Sequence, residues 1–281
     1  RELDPPPRPG DRVGHYEIVA EIGRGGTGIV YRARDTRIDR TVALKCLRPE
    51  FLDDDEIRHR FLREPKAAAR VAHPGAVPIY EVFDNGHSPW IAMQFVEGRS
   101  LRVLLAERGR LPVEEVLDYG VQLAEALDAA HAHHVIHRDV TPNNILVTPE
   151  RRVVLTDFGV ARFFTPPGAP PGTHSGSITA DGALLGTPPY LAPEQVLGRE
   201  LDGRSDLFSL GCVLYECCAG RLAFPAPQLS RLLDDILHHE PEPLGQFNYA
   251  VPAELERIIR KTLRKAPEER YQSARELAVD L

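Results

Sequence analysis

The chain has 281 residues, 42% of them hydrophobic, which makes it longer than one average domain and apolar enough for a sizeable core. That balance excludes disorder of the whole chain, and a formal charge of -7 with a pI near 5.9 argues against a nucleic-acid-binding surface. No run approaches the roughly 18 apolar residues of a membrane span and no charged-then-apolar leader opens it, so a soluble, cytoplasmic piece without membrane contact is expected.

The sequence starts at Arg1 and ends inside a helical pattern, Ser273 to Leu277 and onward, so a fragment of a longer protein is expected. Lysine occurs only at Lys45, Lys66, Lys261 and Lys265, against thirty arginines, a bias that fits a G+C-rich coding sequence and a bacterial source. Cys46, Cys212, Cys217 and Cys218 lie in apolar surroundings without paired C-x-x-C spacing and read as buried, reduced thiols.

A proline-rich leader occupies residues 1–13. Segments rich in aliphatic and β-branched residues at 15–21, 28–34 and 41–47 predict an antiparallel meander. A charged helical stretch follows from about Asp54 to Ala72, and strands at 77–83 and 90–95 close a first region at residues 14–96. From residue 97 the pattern is mostly helical. Val116, Leu117, Val121, Leu123, Ala124 and Leu127 share one broad face of a helix over 113–133. Short strands at 145–148 and 153–156 bracket Pro149-Glu150-Arg151, and a long loop is expected over 157–194. Its stretch Thr165 to Gly176 carries four prolines and three glycines and should be mobile. Helices are predicted at 205–219 and near 228–239, 252–264 and 273–281.

Three motifs carry chemistry. Gly23, Gly25 and Gly28 lie between two strands, and glycines let a backbone approach phosphates without side-chain clash. A dinucleotide-binding turn is the usual rival for such spacing, but it leads into a helix, whereas Ile29 to Ala33 reads as a strand. Lys45 follows in the strand Val42-Ala43-Leu44-Lys45. Farther on, His137-Arg138-Asp139-Val140-Thr141-Pro142-Asn143-Asn144 is followed thirteen residues later by Asp157-Phe158-Gly159. Asp139 can take a proton from an attacking hydroxyl, while Asn144 and Asp157 can hold magnesium ions that neutralise charge on a transferred phosphate.

From about Gly14 to its end the chain resembles the protein kinase superfamily, and within it the bacterial Ser/Thr protein kinases of eukaryotic type. The resemblance implies an α+β, bilobal fold: a small antiparallel sheet with one main helix at 14–96, a larger helical lobe at 97–281, and an activation segment at 157–194. It implies ATP with Mg2+ (Mn2+ as the alternative), protein serine or threonine as acceptor, and the chain itself as a further substrate. Ile22, Gly23, Gly25 and Gly28 would cover the nucleotide, with Val30, Ala43 and Leu146 sandwiching adenine. Backbone groups of Gln94 and Val96 would bind its edge behind the gatekeeper Met93. Lys45 would grip the α- and β-phosphates, held by Glu64. Pro65 bears on this: it suits a first helical turn and breaks an interior, so the helix is expected to start late, near Glu64, or to kink there, making the Lys45–Glu64 pair conditional.

Asp139 would orient the acceptor hydroxyl. Thr141 stands where Ser/Thr kinases usually carry a lysine that touches the γ-phosphate, and losing one such donor can cost about 10²–10³ in rate. A nucleotide-binding pseudokinase is therefore the first rival reading. A small-molecule phosphotransferase is disfavoured, because Gly186 to Glu194 looks like a protein-substrate platform. Within that resemblance Thr187 would bond near Asp139, Glu194 would pair with Arg270, and Asp206 would brace the catalytic loop. Arg138 marks the class controlled by activation-loop phosphorylation, with Thr179 first among Thr173, Ser175 and Ser177, and Asp181 a built-in negative charge. His131, His133 and His134 read as helix-end residues rather than metal ligands, and His137 as packing on Phe158.

Overall fold

The protein is described by a computed structural model covering residues 6–26, 28–158 and 188–281. It divides into two compact units, a smaller one of residues up to Ala72 with Val77–Glu97 and a larger one of His73–Ala76 with Gly98–Leu281. Residues His73–Ala76 go with the larger unit because Leu155 N–H donates to Gly75 O and Ala76 bridges Leu155.

The smaller unit is built on β1 (Arg12–Val13), β2 (Tyr16–Arg24), β3 (Gly28–Asp35), β4 (Arg40–Leu47), β5 (Ile79–Asp84) and β6 (Pro89–Gln94). They form one antiparallel sheet in the order β1-β2-β3-β4-β6-β5. Alternation along β2 and β3 turns Tyr16, Ile18, Ile29, Tyr31 and Ala33 into a core shared with Val42, Leu44 and Trp90. Each of the Ile, Val and Leu side chains among them stabilises by about 1.5–3 kcal/mol. Helix α1 (Asp55–Ala68) packs on β5 and β6.

The start of α1 overturns the late-start expectation. Asp54 caps it, its carboxylate accepting from Glu56 N–H and Ile57 N–H at 3.0 Å each, and Asp55 and Glu56 complement the helix dipole. Pro65 therefore sits inside the helix, in its last turn. There it removes only the N–H that would reach Phe61 O, while its ring continues the buried stripe Ile57, Phe61, Pro65, Ala68.

The larger unit adds β7 (Arg99–Ser100), α2 (Leu101–Arg108), α3 (Val113–Ala132), β8 (Ile145–Val147), β9 (Val153–Leu155), α4 (Pro193–Val196), α5 (Gly203–Ala219), α6 (Leu229–His238), α7 (Ala253–Thr262) and α8 (Ala274–Asp280). Helix α5 is buried from Ser205 to Cys218, so it is the axis on which α3, α7 and α8 pack. Its polar residues all have work: Ser205 donates to Glu194, Ser209 to Tyr190 O, and Glu216 accepts from Arg102. Helix α2 was not anticipated from the sequence, although Ser100 caps its start and Gly109, at φ 73°, its end. The four cysteines are free and buried, and burial pushes the Cys212 thiol up to about 12. No helix among the described residues is long and apolar enough to cross a membrane.

Candidate active site

In the smaller unit, the β2–β3 hairpin carries the glycines and Lys45 lies on the next strand. Register pairs Val30 with Lys45 and Ala43 with Met93, and Gln94 with Val42. Gly25 N–H donates to Gly28 O at 2.8 Å, tightening the turn. At Gly28 a Cβ would stand 2.8 Å from Cys46 O and 2.8 Å from Lys45 Cε, so only glycine lets the loop lie this close to the lysine stem. Lys45 is 5% exposed, Met93 and Ala43 are buried, and Ile22 is half exposed on β2. Glu64 lies on α1, one position off the buried stripe.

In the larger unit, α3 delivers the chain to a loop whose backbone hangs on one carboxylate. Asp206, 0% exposed near the start of α5, accepts from His137 N–H at 2.8 Å and Arg138 N–H at 2.7 Å. It also accepts from His131 Nε2–H at 2.8 Å. Those bonds hold Arg138 in a left-handed conformation, φ 69°, which a residue with a Cβ ordinarily avoids. His137 is buried; its Nδ1 accepts from Asp139 N–H at 3.2 Å, so the proton is on Nε2 and is donated to Thr156 O at 2.8 Å. Its ring meets Phe158 edge-on, centroids 4.7 Å apart.

Asn144 Nδ2 donates to Asp139 Oδ2 at 2.6 Å and Asp139 O at 2.9 Å, which fixes the amide so that its oxygen is the group left to coordinate. Asn144 O in turn accepts from Thr156 N–H and Oγ1–H, placing Asp157, at φ 63°, directly after a clamped residue. A carboxylate and an amide oxygen are hard donors, the kind Mg2+ and Mn2+ take. Leu146 is half-buried on β8. Thr141 is 1% exposed and its Oγ1 has no hydrogen-bond partner among the described residues.

Beyond the loop, Glu194 on α4 and Arg270 form a buried bidentate pair at 2.7 and 2.8 Å. Burial alone would raise the Glu194 carboxyl; Arg270's hydrogen bonds and charge, with Ser205, outweigh it and hold it below the ordinary carboxylate value.

A family model described as the protein kinase domain matches residues 16–279. The chain belongs to the protein kinase domain family. A probable serine/threonine-protein kinase of Clostridium acetobutylicum is 37% identical over 266 residues, covering 95% of this chain and 39% of that protein. The serine/threonine-protein kinase PknD of Mycobacterium tuberculosis is 39% identical over 277 residues, covering 98% of this chain and 40% of PknD. The kinase domain therefore spans about two-fifths of the curated relatives it matches. A crystal structure of the Mycobacterium tuberculosis PknI kinase domain superposes with a TM-score of 0.77 at 30% identity, covering 98% of each chain.

Several sequence expectations for this kinase domain fall outside the described residues: the segment Thr165 to Gly176, the acceptors Thr173, Ser175, Ser177 and Thr179, Asp181, and Thr187. Other contacts had no sequence signal strong enough to read. His131 is a ligand of Asp206 and more than a helix-end residue; Gly203 allows it, because a Cβ there would lie 2.6 Å from His131 Nδ1. Gln195 Nε2 donates to Arg138 O at 2.9 Å while its Oε1 takes Ala192 N–H, joining α4 to the catalytic loop. Arg102, Glu216 and Tyr190 form a partly buried triad in which Arg102 Nη1 donates to Glu216 at 2.7 Å, Arg102 Nη2 donates to the Tyr190 hydroxyl, and that hydroxyl donates to Glu216.

Proposed function

We propose that this kinase domain transfers the γ-phosphoryl group of ATP to serine or threonine hydroxyls of proteins. The observation that carries the reading is the Asn144–Asp139 hydrogen bond inside a loop braced by Asp206, which presents a fixed carboxylate beside a fixed amide oxygen. The acceptor oxygen forms a bond to the γ-phosphorus as its proton passes to Asp139, the bond to the β,γ-bridging oxygen breaks, and ADP leaves. Asn144 and Asp157 would hold Mg2+ or Mn2+, which supplies charge neutralisation on the phosphates when bound. Lys45, supported by Glu64, and the loop of Gly23, Gly25 and Gly28 would grip the phosphates, with Ile22, Val30, Ala43, Met93, Gln94, Val96 and Leu146 about the base.

The same activity would modify the chain's own activation segment, Thr179 being the first candidate. A cytoplasmic location goes with that reading, where ATP and protein substrates are met. The pseudokinase reading is the alternative, and the specific observation behind it is Thr141, which brings no charge to the phosphate. Incubation with labelled ATP and Mg2+, beside Asp139→Asn, separates the two. Label on the chain or on a generic protein substrate, absent from Asp139→Asn, is the expected outcome. ATP binding without label on either would hand the case to the pseudokinase.

A further inference from the structure

On the larger unit, a groove of about 390 Å³ runs where β7 and α2 meet the start of α3 and the β8–β9 turn. Its volume falls within the range of ligand sites, but its chemistry is arranged differently. A small-molecule site converges a few polar groups on its floor. Here the walls are apolar, from Leu104, Val147 and Pro149, and the Tyr119 hydroxyl is already engaged by Glu115 and Arg151. The charged groups of the lining are Arg99, Arg108 and Arg151, all exposed, against one half-buried carboxylate, Glu115.

The three arginines differ in how firmly they are engaged. Arg108 is locked on Glu115 by bonds of 2.9 and 3.0 Å, and that pair holds the Glu115 carboxyl below its ordinary value. Arg99 pairs with Glu107, both half exposed, an arrangement of little net worth that an incoming carboxylate can replace. Arg151 is held least: its side chain hydrogen-bonds the Tyr119 hydroxyl and feels the Glu115 charge, with no close carboxylate contact among the described residues. It is nevertheless well placed, at φ 64° in a turn pinned to α3 by Gln122, whose Nε2 donates to Arg151 O and whose Oε1 accepts from Val153 N–H at 2.8 Å. A positive φ on a long side chain held by a specific clamp is the kind of strain found at binding positions. A rim positive on balance is also unusual on a chain of net charge -7.

We propose that this groove is a recruitment site for an extended acidic segment of a protein partner, with apolar side chains seated between Leu104 and Pro149 and carboxylates on Arg99 and Arg151. Charge complementarity selects the occupant: an apolar trough between cations fits carboxylates alternating with leucine-like anchors, and repels a basic segment. Because the turn is fixed beforehand, little ordering of the kinase domain is needed on docking. The site shares no residue with the phosphotransfer machinery, so the inference goes beyond that reading and does not depend on it.

The test is fluorescence anisotropy with a labelled peptide of repeating Glu-Leu-Glu-Glu-Leu, beside its Glu-to-Lys counterpart and a leucine-free Glu/Ser peptide. The acidic leucine peptide should bind, both controls should bind at least about tenfold more weakly, and added salt should weaken the interaction. Arg151→Glu and, separately, Arg99→Glu should each weaken it about tenfold while the melting curve stays unchanged; if either unfolds the protein, the other carries the result. Absence of binding, equal binding of the lysine peptide, or indifference to both charge reversals overturns the proposal. So does concentration-dependent dimerisation in light scattering that Arg151→Glu abolishes, which would make a second copy the occupant.

Discussion

At the base of the larger unit every donor of the Arg270 guanidinium is used: Nε on Arg264 O, Nη1 on Glu194 and Arg204 O, Nη2 on Glu194 and Lys265 O. In the loop of Asp139, equally buried Thr141 keeps a hydroxyl without a hydrogen-bond partner among the described residues. Both regions are inaccessible to water, so both face the same penalty for an unmet polar group, about 1–3 kcal/mol. The difference teaches where the larger unit accepts that penalty: the Arg270 cluster is complete, and an unmet hydroxyl lies two residues from Asp139, as Tyr31 and Trp90 carry unmet groups in the smaller unit.

The comparison breaks most severely at Arg270. Arg270→Met leaves Glu194 buried without its cation, and urea unfolding should register a loss of about 3–5 kcal/mol. The same variant sharpens the pH dependence. Glu194 is depressed in the folded state, so the unfolded chain binds more protons as the solution is acidified, and the pair's contribution, full above about pH 4.5, is lost below it. Wild type should therefore show an acid limb that Arg270→Met flattens. Next in size, Asp206→Asn exchanges a charged acceptor of three donors for an amide, and should cost about 2–3 kcal/mol along with phosphotransfer. Gly203→Ala drives a methyl toward the His131 ring and should cost about 1–3 kcal/mol. The smallest stability effect belongs to Thr141→Val. With the orphan hydroxyl gone, the stability should hold or rise, by about 1 kcal/mol at most, yet phosphotransfer should fall by about 10² if that hydroxyl serves the reaction. A loss of stability instead would show the hydroxyl to be structural.

The sequence made the sheet and the long helices readable, because Tyr16 to Tyr31 alternate and the α3 face repeats with helical period. The groups Asp139, Asn144 and Asp157 could be read together because they are close in the chain and chemically unusual. Pro65 misled: its neighbours suggested a helix start, but Asp54 had already supplied one, and the apolar spacing from Ile57 was the better signal. Helix α2 was missed since eight residues give too few periods to count, although Ser100 and Gly109 mark both ends. Arg102 with Glu216 and His131 with Asp206 were not readable at all. Nothing in local pattern tells a buried glutamate which arginine, 114 residues away, will meet it.

Those separations have a kinetic consequence. The smaller unit's hairpins join neighbours in the chain, whereas His131–Asp206, Arg102–Glu216 and Glu194–Arg270 close loops of 75, 114 and 76 residues. Long loops close slowly, since the entropy is lost before the contacts form. On the ribosome the loop of Asp139 emerges well ahead of Asp206 and farther still ahead of Arg270, so the six-stranded sheet can mature early while the loop that holds Asp139 waits for α5 and its Asp206 to be made.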